Sequence, residues 1–160
     1  MFRENDWHHI RVDIDVKVDP DVVDDIIHLK KFSDGSADGI YSSHNLEHLH
    51  RDDAVIAIAT FRKVLKPGGL CVVGVPDFQM ACEWIGKGDG FKTIYESPAG
   101  PITPYDMVFG YHRLTRNNPH QQHRNGFTVE YLSRIFAYAG FTSATVMRGE
   151  GCDIWAFASK

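Results

Sequence analysis

Residues 33–49, SDGSADGIYSSHNLEHL, and residues 62–77, RKVLKPGGLCVVGVPD, decide the fold of this chain. The first stretch holds a polar turn at Asp34-Gly35-Ser36, a short strand over residues 39–43 and a second polar turn. Between the two stretches, residues 52–66 carry the pattern of a helix. Val55, Ile58, Ala59, Arg62 and Leu65 fall on one face, widened by Phe61 and Val64. Asp52 or Asp53 is placed to cap its start, and Arg62, Lys63 and Lys66 suit the negative end of its dipole. Pro67-Gly68-Gly69 stops the helix. Residues 70–75 form a continuous apolar run, the mark of a strand buried on both faces of a parallel sheet. Strand, turn, helix, stop and strand make one unit of an α/β sheet.

The flanks extend that unit. Residues 9–18 alternate, with Ile10, Val12, Ile14, Val16 and Val18 against polar neighbours, which predicts a strand over that whole stretch or only as far as Asp15. Residues 22–29 are a second short apolar segment, open between a strand and a helical turn. Residues 78–85 predict a turn or two of helix. Thr128 caps a helix over residues 128–139, with Tyr131, Leu132, Ile135, Phe136 and Ala139 on its buried face and Gly140 at its end. Residues 141–148 and 153–159 read as two closing strands joined at Gly149-Glu150-Gly151. The expectation is a single domain over residues 1–160, with a mostly parallel sheet and a C-terminal antiparallel hairpin. Residues 86–127 stand out as a long variable segment rich in Gly, Pro, Asn and His; loops of that length are usually functional or mobile.

Bulk properties exclude several classes. The 160 residues are 43% hydrophobic and 24% charged, enough for one core and ordinary for a globular domain. A net charge of −4 gives no basic surplus for a nucleic-acid partner. The three cysteines, Cys71, Cys82 and Cys152, are dispersed and odd in number, which argues for reduced thiols in a cytoplasmic setting. The apolar runs are too short to span a bilayer, and residues 1–11, MFRENDWHHIR, hold no apolar leader segment.

The ordered set VDID (12–15), DGSADGIYSSHNLEHL, LKPGGLCVVGVPD, NGFT (125–128) and a helix ending in Ala139-Gly140-Phe141 resembles the class I S-adenosylmethionine-dependent methyltransferases. The small bacterial type 11-like group with an S-x-x-LEH segment is the nearest likeness. The resemblance covers roughly residues 10–159. It implies a Rossmann-like sheet of seven strands with a reversed last strand, of which this chain holds the second through the seventh. The first glycine is Gly35, so the family's central first strand and glycine-rich loop would precede Met1; on this reading the chain is N-terminally truncated.

The resemblance also implies a site. Asp13, with Asp15 as fallback, matches the acidic residue that clasps the cofactor's ribose hydroxyls. Asp25 matches the partner of the adenine amine, and Ile26 would lie against the adenine ring. Ser42, Ser43 and His44 sit in the turn that faces the methionine part. The implied cofactor is S-adenosylmethionine and the implied activity is methyl transfer to an unidentified acceptor, which the 86–127 segment would select. His44 is the first choice for a catalytic proton acceptor and His123, in His-x-Asn-Gly-Phe, the second. The missing central strand favours a homodimer that closes the open sheet edge. Methyl transfer from a sulfonium needs no metal, and none is assigned.

Other readings compete. His44-Asn45-Leu46-Glu47-His48 matches H-x-x-E-H, in which the two histidines would bind zinc and Glu47 would act as base; that requires a helix, and the segment follows a strand directly. Glu47 and His48 then read as structural. Gly86-Lys87-Gly88-Asp89-Gly90 has the glycines of a phosphate loop but no strand before it and helix after it, so it reads as a flexible connector. His120 and His123 are a further metal pair, and a solvated loop explains them as well. Trp84, Phe91, Tyr95, Tyr105, Phe109 and Tyr111 can line a substrate pocket or form a packing patch. A different class of function, a degenerate methyltransferase-fold protein that binds or oligomerises without catalysis, fits the same scaffold.

Overall fold

Asp13 accepts a hydrogen bond from the Asp15 amide through Oδ1 (2.8 Å), and Asp15 accepts from the Lys17 amide through its own Oδ1 (2.9 Å). These two side-chain turns draw the backbone away from a ladder. In the computed structural model, which describes residues 7–116 and 118–160, the alternating segment 9–18 is therefore a strand only over Val12–Asp13 (β1), followed by a 3₁₀ turn at Val16–Val18. The first six residues of the stretch read for a leader, and Asn117 of the variable segment, lie outside the described residues. A second short strand, Val22–Val23 (β2), pairs in parallel with β1. Its apolar continuation turns away at Asp25, whose Oδ1 accepts from the Ile27 amide (2.8 Å).

The main sheet is four-stranded. Ala37–Ser43 (β3) leads through a 3₁₀ turn at Leu46–His48 into the helix Arg51–Val64 (α1) and then the long strand Leu65–Pro76 (β4). β3 and β4 are parallel, as the strand–helix–strand reading expects. Ala54, Ala57, Ile58, Phe61 and Val64 form the buried stripe of α1, so the inward face is rotated from the expected one: Ala59 is exposed. The cap differs too. His50 is the N-cap without a side-chain bond, while Asp52 and Asp53 sit in the first turn and favour the helix through its dipole. Pro67 disfavours a helical residue before it, and the chain becomes extended already at Leu65. Residues 71–76 are buried throughout.

Beyond β4 come the helix Phe78–Gly86 (α2), the hairpin Tyr95–Ser97 (β5) with Gly100–Ile102 (β6), and two short helices, Pro104–Phe109 (α3) and His112–Thr115 (α4). The variable segment is thus built, not a bare loop. Thr103 and Asp106 form a reciprocal capping box at α3. Gly110 turns the chain at φ 87°, where a Cβ would meet the Gln121 carbonyl.

The last helix, Val129–Tyr138 (α5), starts at Thr128, whose hydroxyl accepts from the Tyr131 amide (3.1 Å), and buries Leu132, Ile135 and Phe136. Ser143–Arg148 (β7) and Asp153–Ser159 (β8) form the closing antiparallel hairpin, and β8 inserts antiparallel to β4, giving the order β3-β4-β8-β7. Ile154, Ala156 and Ala158 face the core, the period of two written in the sequence. One large core runs from Leu46 and α1 across β4 and β8 to α5.

The mixed α/β sheet with its reversed last strand is as the resemblance implies, but the six strands do not form one sheet. Among the described residues β1 pairs only with β2, and β3 only with β4. Val12 and Ile26 pack against the main core, and the Thr60 hydroxyl donates to the Ile27 carbonyl (2.8 Å), which holds the small sheet in place. Among the described residues no helix is long and apolar enough to cross a membrane.

Candidate functional site

The residue that follows β3 has unusual backbone geometry. His44 has φ 54°, a left-handed conformation that costs energy outside glycine. Its amide donates to the Gly74 carbonyl (3.0 Å) on the neighbouring strand, which fixes the turn. The imidazole then lies between two carboxylates: Nδ1 is 3.4 Å from Glu47 Oε1 and Nε2 is 3.5 Å from Asp153 Oδ1. The contact with Glu47, helped by the charge on Asp153, raises the His44 pKa above its usual value against the opposing effect of burial. Burial, with the Glu47 charge acting in the same direction, pushes the Asp153 carboxyl up, while His44 opposes the rise.

Glu47 is the buried centre of this group, 1% exposed. Its backbone carbonyl accepts from the amides of Arg124 (2.7 Å) and Asn125 (3.2 Å), so the turn after β3 is clipped to the stretch before α5. That clip brings His123 beside His48, ring centroids 4.9 Å apart and edge-to-face. His123 Nδ1 is 2.8 Å from the Met107 carbonyl, so that nitrogen carries the proton. Burial depresses the His123 pKa, with the Glu47 charge opposing.

These side chains line a cavity of about 490 Å³, the size range of small-molecule sites. Its opposite wall comes from the small sheet and the turn after it: Asp13, Asp25 and Ile26. Residues more than 100 positions apart thus meet in one hollow, and five of the seven sequence-designated residues, Asp13, Asp25, Ile26, His44 and His123, border it. Ser42 and Ser43 do not. Ser42 is buried in β3 with its hydroxyl accepting from Asn45 (3.4 Å), and Ser43 gives Asn45 its carbonyl (3.1 Å). Tyr95 and Tyr111 of the variable segment reach the cavity, while Tyr105 stacks on Phe109 and meets Phe91 at a tilt, all three outside its lining.

Three contributors escape a linear reading: Glu47 and His48, which read as structural, and Asp153. Buried glutamate is rare without a partner, so the H-x-x-E-H string carried a usable signal for the first two. Asp153 joins only because β8 inserts beside β4, which no local pattern announces.

Residues 6–73 match the family model of a methyltransferase domain. A SAM-dependent methyltransferase from Archaeoglobus fulgidus superposes with a TM-score of 0.60 over 93% of this chain and 74% of its own, at 16% identity. This is a methyltransferase fold. A second SAM-dependent methyltransferase, from Thermotoga maritima, gives a TM-score of 0.54 at 17% identity, covering 84% of this chain and 61% of that one. An O-methyltransferase family protein from Burkholderia thailandensis gives 0.54 at 14% identity, covering 86% of this chain and 34% of its own. The chain therefore spans less than two thirds of the length of the Thermotoga and Burkholderia proteins. No curated protein matches it. In this methyltransferase fold the cavity lies at the ends of β3 and β4, the place where open α/β sheets bind ligands.

Proposed function

We propose that the chain is an S-adenosylmethionine-dependent methyltransferase domain, and that the cavity between the small sheet and the His44 turn is where cofactor and acceptor meet. The supporting observation is the convergence of Asp13, Asp25 and Ile26 with His44 on one hollow. The donor set fits the cofactor. Carboxylates are the acceptors that ribose hydroxyls and an adenine amine need, and Ile14 and Ile26 offer apolar surface to a base. Among the described lining residues Arg124 is the only lysine or arginine, against many carboxylates. A hollow of that charge favours a ligand carrying a sulfonium and an ammonium.

When bound, the cofactor supplies an electrophilic methyl group for in-line displacement. The chain's own part is to orient and to manage a proton. Asp13 and Asp25 each commit Oδ1 to a backbone amide, which fixes the carboxylate and leaves Oδ2 for a ligand. His44 is the first candidate to take the acceptor's proton, since Glu47 and Asp153 on either side stabilise the imidazolium; His123 is the second. Tyr95, Ile102, Met107 and Tyr111 make the acceptor side, so the 86–127 segment selects the acceptor. Dispersed thiols support a cytoplasmic setting, and a homodimer is proposed because, among the described residues, β3 has β4 as its one strand neighbour.

Calorimetric titration with S-adenosylmethionine and with S-adenosylhomocysteine tests the reading. A saturable heat with a Kd on the order of micromolar is expected, abolished by Asp13→Ala in a protein that keeps its circular dichroism. No heat with either ligand would rule out the enzyme and leave a non-catalytic use of the fold.

A further inference from the structure

Glu47 presents an unsolved problem of charge. Its side chain is 2% exposed, and among the described residues neither carboxylate oxygen completes a hydrogen bond. His44 approaches Oε1 at 3.4 Å without hydrogen-bond geometry, and Oε2 has no partner among the described residues. A carboxylate taken out of water without donors is costly, so such a group needs a cation or a proton.

The two imidazoles beside it are prepared to share a cation. Nδ1 of His123 lies 2.8 Å from the Met107 carbonyl and Nδ1 of His48 lies 3.3 Å from the Gln122 carbonyl. A carbonyl only accepts, so Nδ1 carries the proton in each ring and Nε2 holds the lone pair. A backbone carbonyl behind the distal ring nitrogen is how metal-bound histidines are oriented. One ligating atom from each of Glu47, His48 and His123 can be chosen so that all lie within 4.8 Å of one another. Ligands at about 2.1 Å in a tetrahedron stand about 3.4 Å apart, so a modest closing of side chains completes the set.

We infer that Glu47, His48 and His123 form a binding site for one divalent transition-metal ion of the zinc or iron(II) class. Two imidazoles and one carboxylate favour these ions, whereas magnesium and calcium favour all-oxygen shells. The H-x-x-E-H string is therefore used differently from a zinc-protease helix: Glu47 and His48 ligate with a histidine from 75 positions further on, and His44 stays outside. The backbone clip from Arg124 and Asn125 to the Glu47 carbonyl holds the two halves of the site in register. Three protein ligands leave coordination positions open, and the site borders the cavity. His123 then serves as a ligand, which leaves His44 to handle the proton. The inference stands whether or not the cavity takes the methyl donor.

Chelator-treated full-length protein titrated with zinc, and separately with cobalt(II), tests it. One ion per chain at a Kd on the order of micromolar or tighter is expected, without competition from millimolar magnesium. Glu47→Gln, His48→Ala and His123→Ala should each weaken zinc binding about 100-fold, and His120→Ala should leave it unchanged. X-ray absorption of the zinc-loaded wild-type protein, which requires no variant to fold, should show two imidazole ligands. Absence of saturable zinc binding, binding that all three variants retain, or a zinc spectrum without imidazole would overturn the inference.

Discussion

Arg148 Nε lies 2.7 Å from Asp77 Oδ2, tying the outer strand β7 to the start of α2. Asp77 is buried and also caps α2, its Oδ1 accepting from the Met80 amide (3.0 Å). Arg148 is 47% exposed, so water screens much of the Coulombic gain and the cap carries most of the effect. Asp77→Ala should cost about 2 kcal/mol. Asp77→Asn, which retains a capping oxygen, should cost about half that. Urea unfolding of the two variants beside the parent measures both, and equal losses would mean that the ion pair dominates.

The cysteines should differ sharply in reactivity. Burial pushes the Cys71 thiol up to about 12, and burial with nearby Asp153 and Asp77 raises Cys152, while Cys82 is exposed. Thiolate is the reactive form. Alkylation under native conditions, followed by mass spectrometry, should label Cys82 first, then Cys152, and Cys71 only on unfolding. Early labelling of Cys71 would contradict the packing of β4.

Asp106 gives a pH dependence. Burial raises its carboxyl pKa, but hydrogen bonds from Thr103 and His112 outweigh that and hold it below the usual value. A folded-state pKa below the unfolded one stabilises the protein above the unfolded pKa of about 3.9, and the gain is lost as pH falls through the lower folded value. Protection factors of the Thr103, Asp106 and His112 amides, measured against intrinsic exchange at each pH, should therefore fall in acid, below about pH 4. Asp106→Asn should flatten that dependence.

Much of the fold was legible because its signals are local. Thr128 before an amphipathic run gives α5, and the apolar run at 70–75 gives the centre of β4. The failures have local causes as well. Asp13 and Asp15 divert their own backbone into turns, so an alternation of five apolar positions over residues 9–18 yields two residues of strand. At the site, Asp13, Asp25 and Ile26 came from likeness to a family. The joining of His44 to Asp153, and of His48 to His123, depends on strand insertion and on a backbone clip that leave no periodic trace.

His44 separates binding from chemistry. Once an acceptor is found, His44→Ala should lower kcat by about 100-fold, the usual scale for a lost proton acceptor, with cofactor affinity unchanged. A fall in affinity of the same size would make His44 a cofactor residue. Single-turnover methyl transfer set beside calorimetry distinguishes the two.

A crystal structure grown with S-adenosylhomocysteine bears most directly on the proposed site. The ribose hydroxyls are expected on Asp13, the adenine against Ile26 near Asp25, and the sulfur on the His44 side of the cavity. Ligand density elsewhere, or an empty cavity at saturating ligand, would contradict it.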